Sequence, residues 1–256
     1  MSIIQSTLQS SPHNLPTVVF SLDDLYLTHA DQVSLAQSHP GNPLLQHRGQ
    51  PSTHDISLAL SVFSSLSKNK PTKIPQYDKS AFSGQGDRVP ASEWEQVNTS
   101  SSSTIKVVLF EGWAVGFRPL PLSILRQKWD AAAEAARSDP NYNGRLGHNS
   151  LSSVQDINSA LEPYSQITNQ LDAFIHLDAE DLRYVYKWRL DQEVDLRKKR
   201  GSGMTDEQVK HFIDGYYPSY ELFTEALRAG VFGDARGRQL RLVIGPDRKV
   251  IRVERL

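Results

Sequence analysis

The sequence predicts an α/β fold, a mainly parallel sheet flanked by helices, and three observations carry that expectation. Short β-branched runs alternate with longer stretches of helical composition. The runs Thr17-Val18-Val19-Phe20 and Ile105-Lys106-Val107-Val108-Leu109-Phe110 read as strands covered on both faces, the habit of parallel sheets. Both lead into carboxylates, Asp23-Asp24 and Glu111, as strands do where an open sheet presents its ligand-binding edge.

The elements follow in order. Residues 1–16 are rich in Ser and Gln, with neither Lys or Arg nor an apolar core, so they read as no targeting peptide and are expected to be disordered. After the first strand, 29–53 reads as irregular loop, 56–66 as helix and 68–90 as loop again. The Ser-rich stretch 98–104 is expected to be a surface insertion before the second strand. A helix should cover Leu122 to Ser138 around its Ala-rich centre, and another Ser152 to Leu161. Phe174-Ile175-His176-Leu177 reads as a third buried strand. Asp178 is expected to cap a helix from Ala179 to Arg200 that ends at Gly201, with 179–203 forming a lid-like helix and hinge. Thr205-Asp206-Glu207-Gln208 has the form of a capping box. Leu240 to Ile244 and Val250 to Val253 flank Gly245-Pro246-Asp247 as a hairpin. One domain is expected over 1–256.

Composition narrows the chemistry. The 256 residues carry a net charge of -1 and 38% hydrophobic residues, enough for a core. Basic residues alternate with acids, so a nucleic-acid partner is not expected. No apolar run reaches the ~20 residues a membrane-spanning helix needs. The absence of cysteine excludes disulfides and thiolate chemistry in these residues, and a cytoplasmic protein is expected.

Asp23 and Asp24 are adjacent carboxylates after an apolar strand. They repel each other, so either a metal ion or a proton to be taken rewards them, or one caps the turn and the other is solvated. Glu111 either holds Mg²⁺ or caps a turn. Gly112 and Gly116 permit close backbone approach beyond that strand. Two loop stretches hold cations, Arg48 with His54 in one and Lys79 with Arg88 in the other, and each reads as a solvated loop or as the wall of an anion site. Arg189, Arg197 and Arg200 lie on the helix before Gly201-Ser202-Gly203, where they either close over phosphates or complement the helix C-terminus. The 256 residues contain no Gly-Lys dipeptide, and hence no G-x-x-x-x-G-K-[ST] phosphate loop.

Taken together the motifs resemble the D-glycerate 3-kinase family. They are Ser21-Leu22-Asp23-Asp24-Leu25-Tyr26, Asn42-Pro43-Leu44-Leu45-Gln46-His47-Arg48-Gly49, Thr53-His54-Asp55, Tyr77-Asp78-Lys79-Ser80, Gly84-Gln85-Gly86-Asp87-Arg88, Phe110-Glu111-Gly112-Trp113 and Trp188-Arg189. The resemblance implies a P-loop kinase-like fold, ATP and Mg²⁺ as cofactors, and a small-molecule hydroxyl acceptor such as D-glycerate. By resemblance, Asp23 is the base for the acceptor hydroxyl, assisted by Asp24, and Glu111 completes the catalytic set. Asp24 and Glu111 are the metal residues. Tyr26, Arg48, His54, Lys79 and Arg88 enclose the acceptor, and Arg189, Arg197 and Arg200 belong to the lid. Family members carry a strand, phosphate loop and helix before the segment matching Val18, whereas here 17 residues precede it. The expectation is therefore a fold with that first strand, loop and helix missing, and impaired nucleotide binding. The alternative is a non-catalytic relative that binds a small acid or a protein partner.

Overall fold

The computed structural model describes residues 1–256 except 101–103, 201–202 and 234, and gives no account of the side chains of Lys199 and Arg200. The chain forms two compact units, Met1–Val115 with Ala160–Gln170, and Gly116–Ser159 with Leu171–Leu256.

In the first unit, β1 (Thr17–Ser21) pairs in parallel with β6 (Val107–Glu111), Thr17 opposite Val107 and Ser21 opposite Glu111. This register brings the Asp23-Asp24 turn and Glu111 to one carboxyl edge. Phe20 points into the core against Phe63 and Phe110, with ring centroids 5.4 and 4.9 Å away. Phe63 lies on α3 (Ile56–Ser67), whose Ala59, Val62 and Leu66 are also buried. A Cβ at Gly112 would lie 2.6 Å from the Leu22 Cβ, so only glycine lets the exit of β6 pass this close to the turn after β1. Two short antiparallel ladders complete the unit: β2 (Thr72–Ile74) with β5 (Glu95–Val97), and β3 (Tyr77–Asp78) with β4 (Asp87–Arg88).

The stretch 68–90, read as loop, holds β2, β3 and β4, formed by antiparallel pairing that no local pattern announces. Two segments nearer the start also differ from expectation. Residues 1–16 begin with helix α1 (Ser2–Gln9), tied down by the Gln5 and Gln9 side-chain amides, which donate to the Thr17 carbonyl at 3.0 and 3.2 Å. The stretch read as loop from 29 contains α2 (His29–Ser38), started by Thr28, whose hydroxyl accepts from the Asp31 N–H. Within the Ser-rich stretch 98–104, residues 101–103 lie outside the described residues; Asn98 is buried.

In the second unit, β7 (Phe174–Ala179) runs parallel to β8 (Gln239–Ile244), which pairs antiparallel with β9 (Val250–Arg255) around the anticipated turn. The helices are α4 (Leu122–Ser138), α5 (Leu151–Ala160, all but its last residue), α7 (Tyr184–Arg200), α8 (Asp206–Asp214) and α9 (Tyr217–Ala229); α6 (Tyr164–Thr168) belongs to the first unit. Thr205 and Gln208 form the expected capping box on α8. The third strand is covered on one face only: His176 and Asp178 are buried, while Ile175 and Leu177 stand exposed.

Asp178 does not cap a helix. Parallel pairing with β8 extends β7 through Ala179 and buries the Asp178 carboxylate, which accepts from Arg228 Nε and Nη2 (2.8 and 2.9 Å) and from Arg241 Nε and Nη2 (2.8 and 2.5 Å). Burial pushes this carboxyl up, but the two guanidinium partners outweigh it and hold the pKa below the usual range. Asp178→Asn should cost about 3 kcal/mol, the low end for breaking a buried pair, because Arg241 keeps Glu254 and Arg228 is partly solvated. Since the folded pKa is depressed, the contribution is present above the unfolded carboxyl pKa and lost as pH falls through the folded one. Urea unfolding of the second unit should show that acid loss in the parent and not in Asp178→Asn.

Candidate active site

The site is built at the end of β1. Ser21 opens a 3₁₀ turn, Leu22–Leu25, through a reciprocal cap: its hydroxyl accepts from the Asp23 N–H (3.1 Å), and Asp24 Oδ2 accepts from the Ser21 N–H (2.8 Å). The two neighbouring carboxylates are thereby separated in environment. Asp24 is folded back into the turn. Burial raises its pKa, the charges of Asp23 and Glu111 push the same way, and the Ser21 N–H opposes them. Asp23 instead faces outward and meets Lys79 Nζ at 2.5 Å.

Lys79 arrives on the β3–β4 hairpin, where Tyr77 is registered opposite Arg88. Gly86 is required there: its φ is +87°, and a Cβ would lie 2.5 Å from the Tyr77 ring. Arg88 Nη1 reaches Asp55 Oδ2 (3.1 Å) and its Nη2 donates to the Tyr26 carbonyl (2.8 Å). Arg48 Nη1 donates to the carbonyls of Gly84 and Gln85, and its guanidinium stands over the Tyr77 ring, 5.8 Å from the centroid. Tyr26 is buried, bridged backbone to backbone with His54, and stacks on the His54 ring at 4.4 Å. Asp23, Asp24, Tyr26, Arg48, His54, Lys79, Arg88 and Glu111 thus all belong to one compact unit.

His54 is fully buried. Desolvation lowers its pKa to about 3 against the opposing charge of Asp23, so the ring is neutral at ordinary pH. Its Nδ1 lies 2.7 Å from Tyr164 Oη, and its Nε2 is buried without a partner. Sequence reasoning missed Tyr164. It sits 110 residues from His54, and no local pattern marks it.

Among the described residues no group of three His, Asp or Glu side chains is disposed to hold a metal ion. Asp24 and Glu111 do lie within electrostatic reach of each other at neighbouring strand ends. Two carboxylates suit Mg²⁺, which keeps most of its ligands as water and phosphate oxygen, and no all-protein cage is required.

The chain is similar to known kinases in sequence and in fold. No family model matches the chain. An uncharacterized kinase of Schizosaccharomyces pombe is 39% identical over 216 residues, 84% of this chain and 72% of that protein. The D-glycerate 3-kinase from Cryptococcus neoformans superposes with a TM-score of 0.87 at 38% identity, over 100% of this chain and 84% of that one. The chain belongs to the D-glycerate 3-kinase family. The chloroplastic D-glycerate 3-kinase of Arabidopsis thaliana is 34% identical over 241 residues, which is 92% of this chain but 47% of that protein. The family's mixed α/β fold with parallel strands is the one found here.

Of the lid residues expected from the family resemblance, Arg189 and Arg197 lie on α7 of the second unit, where they are engaged locally. Arg189 Nη2 lies 3.3 Å from Glu193 Oε2, with its guanidinium over the Phe212 ring at 5.5 Å, and Arg197 pairs with Asp206 at 2.7 Å. Glu193, itself buried, accepts from the Met204 N–H at 2.8 Å. Here Arg189 and Arg197 fasten α7 to α8. The side chain of Arg200 and hinge residues 201–202 lie outside the described residues.

Proposed function

We propose that the protein transfers phosphoryl from ATP to a hydroxyl of D-glycerate or a similar small hydroxy acid. The observation that carries this reading is the Asp23–Lys79 ion pair at the end of β1. Lys79 is 58% exposed, so the pair contributes little to stability and is easily exchanged. An incoming carboxylate takes the ammonium, which releases Asp23 to accept the proton of the acceptor hydroxyl. Arg48, Arg88, Tyr26 and the neutral His54 wall the same acceptor site. Asp24 and Glu111 would hold Mg²⁺ or its waters. ATP-Mg²⁺, when bound, supplies the phosphoryl group, and Arg189, Arg197 and Arg200 serve the lid.

We further propose that these 256 residues by themselves bind ATP-Mg²⁺ weakly, because they contain no Gly-Lys dipeptide to form the phosphate-binding loop. The same observation favours a second reading, a non-catalytic relative that binds a small acid. Calorimetry with ATP-Mg²⁺ should give a dissociation constant of about 1 mM or weaker; micromolar affinity would defeat the weak-site proposal. Product analysis with D-glycerate at high ATP-Mg²⁺ separates the two readings. A phosphorylated acid supports the kinase, while acceptor binding without product supports the non-catalytic relative.

A further inference from the structure

The proposed acceptor site holds a histidine whose proton can be located. Tyr164 Oη accepts from the Ser52 N–H at 3.3 Å. Among the described residues, the only acceptor within hydrogen-bond reach of its own O–H is His54 Nδ1, and a buried hydroxyl donates to the acceptor it has. The 2.7 Å contact is therefore Tyr164 O–H donating to an unprotonated Nδ1. Burial keeps the Tyr164 phenol protonated by pushing its pKa up. The neutral His54 ring must then carry its hydrogen on Nε2. That N–H is buried and has no partner, although a buried donor left unsatisfied costs about 1–3 kcal/mol. Arg88 Nε, in the same cluster around Tyr26, is also a buried donor without a partner.

We propose that Tyr164 is a positioning residue that fixes His54 as an uncharged Nε2–H donor for an oxygen of the bound acid. The inference rests on the acceptor-site reading above and adds to it the identity of the donating atom and the residue that sets it. Two rings stacked at 4.4 Å, Tyr26 and His54, hold the donor in place. Its value is in selection. A neutral donor accepts a carboxylate or hydroxyl oxygen and, unlike Lys79, forms no ion pair with Asp23. It rejects an analogue lacking that oxygen, which would leave the donor buried and unpaired.

Nitrogen-15 NMR of the histidine-labelled chain tests this directly. The expected spectrum for His54 shows a protonated Nε2 and a bare Nδ1, and adding D-glycerate moves the Nε2–H resonance. Tyr164→Phe should let the other tautomer appear and raise the KM for D-glycerate about tenfold, with kcat nearly unchanged. His54→Gln, which retains an N–H donor, should bind D-glycerate more tightly than His54→Leu. A protonated Nδ1 in the parent overturns the proposal, as does D-glycerate binding by calorimetry that leaves the His54 resonances unmoved. Either result leaves the kinase reading standing. If the parent chain binds no D-glycerate, the acceptor-site reading falls and this inference falls with it. The parent spectrum decides the tautomer even if Tyr164→Phe fails to fold.

Discussion

Replacing Asp23 with Asn should lower the rate of D-glycerate phosphorylation by about 10²–10⁴-fold, the range that a positioned general base supplies. That loss corresponds to roughly 3–5 kcal/mol of transition-state stabilisation. The substitution is nearly isosteric, and the position lies outside the core, so the fold should persist. Asp23 uses its backbone N–H, not its carboxylate, in the cap formed by Ser21. Binding and turnover should move differently. In the parent, an acceptor must compete with Asp23 for Lys79. In Asp23→Asn the ammonium is already free, so the KM for D-glycerate should stay level or fall while kcat collapses. That split identifies an interaction made in the transition state. Steady-state kinetics at one high ATP-Mg²⁺ concentration, the same for parent and variant, provides the check. Turnover within a few-fold of the parent would remove Asp23 from the base role.

How much of this was legible in the sequence depended on how local each determinant is. β1 and β6 were readable because an apolar β-branched run that leads into acids is a local pattern, and their parallel register then set Ser21 beside Glu111. α4 was readable from Leu122 to Ser138 because alanines and long side chains favour helix over that whole span. α2 was not, since a stretch of His, Asp, Gln and Ser buries nothing and owes its start to the Thr28 cap. Asp178 misled because an acid before a helical stretch reads as a cap. Its true environment comes from Arg228 and Arg241, 50 and 63 residues further on. The residues proposed to line the acceptor site could be named as types at family-like positions. Sequence did not show that Asp24 turns inward while Asp23 meets Lys79, because that division follows from the reciprocal cap with Ser21. Tyr164 illustrates the limit: its partner is fixed only when the chain folds.

The buried His54 makes the first unit acid-sensitive in a window distinct from that of its carboxylates. Its pKa is about 3 folded, against 6.5 for the ordinary side chain, and the cause is burial. For a base with a depressed folded pKa, the unfolded chain binds the extra proton, so stability rises with pH between the two values. Above pH 6.5 the ring is neutral in both states and contributes no slope. As pH falls below 6.5, the unfolded state gains about 1.4 kcal/mol per unit. The loss should reach roughly 3 kcal/mol at pH 4 and about 5 kcal/mol as the folded pKa is approached. The charge of Asp23 favours the imidazolium, and it cannot offset the desolvation. The neighbouring Tyr164 phenol, pushed up by burial, stays neutral throughout this range. Hydrogen-exchange protection of the α3 amides, compared between the parent and His54→Gln, isolates the effect because every other titrating group is shared. At about pH 7.5 the parent should be the more protected, since it retains the Tyr164 hydrogen bond and the stacking on Tyr26. Near pH 4 the order should reverse, with the difference between the two shifting by roughly 3 kcal/mol. A difference that stays constant across the range would mean that burial does not lower the folded pKa of His54.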